Sequence, residues 1–351
     1  MTTIAALPHA PTVTRPVVLG PNWFASVMGT AIIANAAATL PVHTPVLDVL
    51  ATSAWLLGAA LLVVLGVATV RHWRSSPGAA RRHLADPVMS HFHGAPPMAL
   101  MAVAAGTLLA GHRVIGHHAA VGVATALWAA GTLLGLWTLV AIPRQTLRSP
   151  AAYSGAAFGG WLMPVVPPTV SAATGPLLLP HLPPAVRPAM LVLCLTLLVA
   201  SLVASLPLVA IVVGRTLRGR LGAAATVPTL LLVIGPLGQS ATAAHAIGDA
   251  SGHDRLGALY AAPVLLLALA WTAVVARLLL RTSRTGLPFT LTWWSFTFPV
   301  GTVVTGTSGL AAATGSAPLA VAACALFAML VGFWTVVAVR TLTGLDRLLR
   351  P

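Results

Sequence analysis

The sequence predicts an all-α integral membrane protein of ten transmembrane helices, paired as five helical hairpins around a quasi-fivefold central cavity. Three observations predict that class. Apolar residues make up 58% of the 351-residue chain and charged residues 7%, against about 25% charged in soluble domains. Apolar runs of about 20 residues, the length that spans a bilayer, follow one another almost end to end. Five of these runs are interrupted by proline and glycine, and they alternate with five smooth ones. Backbone groups freed by an interruption find no partner in lipid, so the odd, kinked helices belong inside and the even ones outside. A β-barrel would alternate polar and apolar residues in strands of about ten, which this chain does not do.

The elements follow in order. The first stretch, PNWFASVMGTAIIANAAATL (21–40), is broken at Gly29 and carries Ser26, Thr30 and Asn35. A smooth span over 46–70 returns the chain. The third stretch, HFHGAPPMALMAVAAGTLLAG (91–111), breaks at Pro96 and Pro97, with Thr107 beyond and His91 and His93 at its inner end; 118–142 pairs with it. The fifth span, 153–174, contains AFGGWLMPVVPPTVSAATG, breaks at Pro164 and Pro167 and carries Thr169 and Ser171; 188–213 follows. The seventh, 226–248, breaks at Pro236, carries Gln239, Ser240 and Thr242, and holds His245 near its outer end; 257–279 pairs with it. The ninth, 291–313, breaks at Pro299 and carries Thr297, Thr302 and Thr305; 318–339 is the last. The breaks recur at roughly 60–70 residues, the length of one hairpin with its loops, which predicts a parallel repeat about an axis along the membrane normal. No linker separates two domains. A short tail over 1–19, one transmembrane domain over 20–340 and a tail over 341–351 are expected.

All 19 basic residues are arginine. With ten spans and the N-terminus inside, sixteen fall on one side and only Arg113, Arg187 and Arg255 on the other. That asymmetry over short loops places both termini in the cytoplasm and the protein in the cytoplasmic membrane. The net charge of +14 is therefore a topology signal with some attraction to anionic lipid, and no nucleic-acid partner is expected. The first twenty residues lack the continuous apolar core of a secretory signal. Cys194 and Cys324 read as small packing residues.

The central parts of the broken spans contain no charged residue. A bare charge there would cost about 2.5–3.5 kcal/mol even on the lenient insertion scale. A path between them would bind an anion weakly, through hydroxyls, amides and helix N-termini, and weak binding permits flux. The candidate lining groups are Ser26, Thr30, Asn35, Thr107, Thr169, Ser171, Gln239, Ser240, Thr242, Thr297, Thr302 and Thr305, each of which could instead bond its own helix or a neighbour. His91, His93 and His245 titrate near neutrality and are candidates for a pH-sensitive mouth. No carboxylate or cysteine completes a metal site with His91-x-His93, so neither metal nor cofactor is expected. In TWWSFTFPVG (292–301) the two tryptophans suit an interfacial belt. Phe296 and Phe298 could pack or face lipid, or Phe298, before Pro299, could close the ring as a hydrophobic gate. No phosphate-binding, dinucleotide-binding or hydrolase motif occurs.

PNWFASVMGT and TWWSFTFPVG resemble the tellurite-resistance/dicarboxylate transporter family, which includes tellurite-resistance permeases, malic-acid permeases, sulfite pumps and slow-type, voltage-dependent anion channels. WLMPVVPPTVSAATG and IGPLGQSATAAH are similar to its prokaryotic members, while HFHGAPPMALM matches loosely. The resemblance implies a homotrimer in the lipid bilayer, each subunit with its own quasi-fivefold central pore lined by the kinked odd helices. It implies a phenylalanine gate, which falls on Phe298, with Phe296 one register away, and small anions as the transported partners: C4-dicarboxylate, tellurite, sulfite or inorganic anions. No enzymatic activity is expected. The readings kept beside this are a proton-coupled dicarboxylate or sulfite carrier and, from another class, a membrane enzyme or haem protein using the histidines.

Overall fold

The computed structural model describes residues 19–148, 153 and 155–348. The expected tail over 1–19, apart from Leu19, and residues 349–351 lie outside the described residues, and with them Arg15 and Arg350. Helices dominate: α1 (Phe24–Thr39), α2 (Pro45–Ser75), α3 (Ala79–Ala85), α4 (Ala95–Gly106), α5 (His112–Ile115), α6 (His117–Leu147), α7 (Pro167–Thr174), α8 (Arg187–Leu217), α9 (Ile234–Ser251), α10 (Asp254–Thr285), α11 (Phe298–Thr314), α12 (Ala317–Thr343) and α13 (Leu345–Leu348). Among the described residues there is no strand, only a single parallel bridge between Ala157 and Leu221.

Seven helical stretches among the described residues are long and apolar enough to cross a membrane: Pro45–Ser75, Met89–Ile115, His117–Leu147, Pro184–Leu217, Ala224–Ser251, Asp254–Arg284 and Ala317–Thr343. The chain is a multi-pass membrane protein. The first, fifth and ninth predicted spans are helical too, but in shorter pieces. In Ala224–Ser251, 67% of the apolar window is buried, against 17% in α2, so interrupted and smooth stretches divide into inner and outer elements. The smooth helices turn residues such as Leu133, Val203, Leu259 and Val321 outward, where lipid rather than water is their solvent.

Each inner α-helix is preceded by 3-10 turns: Pro21–Trp23, Met89–Gly94, Gly159–Leu162, Ala224–Val233 and Leu291–Phe296. The prolines mark these junctions. Pro167 opens α7, Pro299 is second in α11, Pro96 and Pro97 are second and third in α4, and Pro236 is third in α9. Pro164 lies in the turn before α7. Proline fits the first helical turn because its missing N–H would have no intrahelical acceptor there. The kinks expected within helices are thus changes of helix type at α-helix starts. Gly29 is a correction: α1 runs unbroken through it. Its missing side chain instead admits Thr297, whose hydroxyl a Cβ would overlap.

The inner helices pack in chain order, α1 on α4, α4 on α7, α7 on α9, α9 on α11, and α11 back on α1. Each has its own outer partner: α2, α6, α8, α10 and α12 in turn. Gly94 and Gly159 allow the 3-10 segments to meet backbone to backbone, since a Cβ on either would overlap the carbonyl of Met163 or Thr229.

Candidate functional site

Phe298 is the first residue of α11 and 3% exposed. Thr297 holds the turn before it, its N–H and hydroxyl both donating to Trp294 O at 3.2 and 2.7 Å. On the C-terminal side of Phe298 opens a cavity of about 500 Å³, lined by residues of α1, α4, α7, α9 and α11, by Leu109 and Leu177 just beyond α4 and α7, and by Asp254 at the start of α10. Its other α11 residues, Thr305, Ser308, Gly309, Ala312 and Ala313, lie successive turns further on, so the phenyl ring forms its floor. On the opposite side lies a void of only about 10 Å³, bounded by Met28, Met98, Leu162, Met163, Val166, Leu232 and Gly235 together with Phe298 and Pro299. One aromatic ring separates a roomy chamber from a nearly closed apolar collar. Phe296 borders neither space; it packs 5.7 Å from Phe333 of α12 and 5.5 Å from Trp293.

Of the polar residues expected to line a path, Asn35, Gln239, Thr242 and Thr305 border the cavity. Thr242 and Thr305 share a hydrogen bond of 2.7 Å. The other eight are outside that lining, most of them held by their own helix or an outer one. Ser26 donates to Trp23 O and Thr302 to Pro299 O. Thr30 donates to Ser26 O and accepts from the Trp334 indole; Thr107 likewise donates to Val103 O and accepts from Trp55. Ser171 meets Thr132 of α6 at 2.5 Å, and Ser240 accepts from Tyr260 of α10. Thr297 is engaged as described, and Thr169 is buried with its hydroxyl unpaired. Polarity within a broken span therefore does not by itself mark the cavity face.

His245 borders the cavity, whereas His91 and His93 do not. The latter are buried in the 3-10 turns before α4, with Nδ1 of each 3.0 Å from a carbonyl, Pro87 O and Ser90 O. Among the described residues no group of three or more His, Cys, Asp or Glu could hold a metal. The cavity also borders Thr39, Thr174, Ser308, Asp249 and Asp254, which the sequence reading passed over. So too did it miss the collar of Met28, Met98, Leu162, Met163 and Leu232. No signal in the sequence marks that collar: α1 runs unbroken past Met28, and these apolar residues look like any others of the spans.

Among the described residues no arginine borders the cavity. Met28, Met98, Val166, Gly235 and Phe298 all lie within about a turn of the start of their α-helices. The preceding 3-10 turns take the first N–H groups of these helices, as where Phe24 N–H donates to Asn22 O, Ala95 N–H to Phe92 O and Ile234 N–H to Leu231 O.

Residues 18–342 match the family of voltage-dependent anion channels, SLAC1. A transporter of uncharacterized function, MJ0576 of Methanocaldococcus jannaschii, is 24% identical over 295 residues, covering 81% of both chains. The sulfite efflux pump SSU1 of Arthroderma otae is 24% identical over 302 residues, covering 82% of this chain and 80% of that one. A second transporter of M. jannaschii, MJ0762, is 22% identical over 332 residues, covering 92% and 93%. Matched over nearly its whole length, the chain belongs to the voltage-dependent anion channel (SLAC1) family.

Proposed function

We propose that this protein conducts small anions through a quasi-fivefold pore in each subunit, with Phe298 as its gate. The single observation that carries the reading is the position of that ring, between a 500 Å³ chamber with several polar residues on its wall and a 10 Å³ apolar void. A void that small and that apolar holds no continuous water, and an ion cannot cross it dry. Ten transmembrane helices over residues 20–340 form the pore, counting the three shorter inner elements as spans. The arginine-rich ends of α2, α6, α8, α10 and α12 face the cytoplasm with both termini, and the chamber opens outside. The membrane is the cytoplasmic membrane, and the working unit is a homotrimer.

Sulfite is the first anion to test, because curated relatives are sulfite efflux pumps; C4-dicarboxylates, tellurite, nitrate and chloride complete the set. The driving force would be the membrane potential, at about 2.3 kcal/mol per charge per 100 mV. The deciding experiment is anion flux into liposomes holding purified protein. Phe298→Ala should raise it by about tenfold or more by clearing the floor. No anion moving in either protein would sink the reading.

The one-sided cavity favours a second reading, a proton-coupled carrier caught open to one side. A carrier would show saturable exchange and lose activity in Phe298→Ala, opposite in sign to the pore.

A further inference from the structure

The last turn of α12 and the segment leading into Leu291–Phe296 enclose a groove of about 460 Å³, lined by Phe289, Arg340, Thr343, Gly344 and Leu348. None of these residues borders the chamber or the collar. Arg340 and Thr343 are exposed, so the polar wall of the groove is reachable from outside the protein. The Arg340 guanidinium lies 5.0 Å over the Trp293 ring, and Phe289 packs edge-on against that ring at 5.3 Å. The indole is held in turn by its N–H, which donates to Pro288 O at 3.0 Å. A guanidinium stacked by its face keeps its N–H edge for an acceptor. Among the described residues that edge has neither an ion-pair partner nor a hydrogen-bond acceptor. Thr343 gives its hydroxyl proton to Val339 O at 3.0 Å, so Arg340 is the groove's donor to an anion.

The groove also meets the lipid. The apolar stretch Ala317–Thr343 ends at it. Val336 and Val339 point outward from that stretch, and Arg340 and Thr343 continue their face at helical spacings of three and four residues. Tryptophan and arginine at the end of a span suit the polar boundary of a bilayer, the aromatic at headgroup level and the cation reaching to it. An anion that offers a phosphate there, with apolar tails beside it, is a phospholipid. A soluble anion would meet the same guanidinium but leave Phe289, Leu348 and the two valines uncovered.

We propose that this groove binds an anionic phospholipid, its phosphate on Arg340 and its acyl chains along Val336 and Val339. The site stands apart from the transport path, so it holds whichever anion the protein carries. The test is native mass spectrometry of the purified full chain with phosphatidylglycerol and phosphatidylcholine at equal concentration. The wild type should retain phosphatidylglycerol in preference, and Arg340→Gln should weaken that retention about tenfold. Thr343→Trp, which fills the groove and leaves every charge in place, should weaken it comparably. Arg144→Gln removes an exposed arginine near the end of α6, outside the groove, and should leave retention within about twofold. Melting temperatures report whether each variant folds, and if one of the two groove variants does not, the other decides. Unchanged retention in a folded groove variant overturns the proposal. An equal loss in Arg144→Gln also overturns it, since the attraction then belongs to the arginine-rich end at large. Displacement of the lipid by millimolar inorganic phosphate overturns it too, since the site then reads a soluble anion.

Discussion

Two glycines near Phe298 show how differently a missing side chain can be used. A Cβ on Gly235 meets nothing within 4 Å, because it projects into the apolar void beside Phe298. A Cβ on Gly94 would overlap the Met163 carbonyl of the adjoining segment. Gly94→Ala is therefore expected to destabilise the fold by about 1–3 kcal/mol through overpacking, read as a lower melting temperature in detergent. Gly235→Ala should fold normally and instead reduce flux severalfold in the Phe298→Ala background, because it refills space that the phenylalanine vacated. At this scale the sequence pointed to a neighbourhood more readily than to a face. Gln239 and Ser240 are adjacent, yet one borders the chamber and the other accepts from Tyr260. Ser171 and Thr174 lie one turn apart, yet one is held by α6 and the other borders the chamber. Inner helices buried on nearly every side carry no polar stripe to orient them, so periodicity cannot choose between such pairs.

The inner elements are fastened by indoles of the outer helices. Trp55 of α2 donates to Thr107, Trp128 of α6 to Ser171 O, Trp271 of α10 to Leu230 O and Trp334 of α12 to Thr30. Two of these bonds satisfy hydroxyls and two satisfy carbonyls, and all of them tie an outer helix to an inner element. Trp271→Phe keeps most of the packing but strips the Leu230 carbonyl of its indole donor. A loss of about 1–3 kcal/mol is expected, measurable as a lower denaturation midpoint, with less cost for a double variant that relaxes the same contact. The smooth helices were legible because lipid demands about 20 apolar residues without interruption. The inner ones were legible as interrupted, but not as 3-10 turns running into α-helices. Proline announces a break; whether it bends a helix or begins one depends on the neighbours that satisfy the freed carbonyls, and those come from other parts of the chain.

For the molecule as a whole, charge is arranged by depth. Arginines gather at one end, with Arg340 stacked 5.0 Å over Trp293 and Arg215 5.1 Å over Trp161. The chamber lies toward the other end, where its charged lining is carboxylate, Asp249 and Asp254. These two carboxylates repel an anion at the chamber's border. Asp249→Asn with Asp254→Asn should raise anion flux about two- to fivefold at low ionic strength, an effect that disappears in about 1 M salt as screening shortens the field. That the chain is an all-helical, multi-pass membrane protein with interrupted inner and smooth outer stretches was readable from its apolar runs and their breaks, since both follow from the bilayer's own requirements. The collar was not, because Met28, Met98 and Leu232 are indistinguishable in sequence from residues that face lipid.

The junction between 3-10 turns and α-helix has a mechanical meaning. A 3-10 helix rises about 2.0 Å per residue at three residues per turn, and an α-helix about 1.5 Å at 3.6. Moving one residue across the junction shortens an element by about 0.5 Å and rotates everything beyond it by about 20°. Phe298 stands at that junction in α11, where a one-residue shift swings its ring sideways while the packed helix above only turns about its axis. Each inner element is in this sense a short screw, and the aromatic ring is set on the thread.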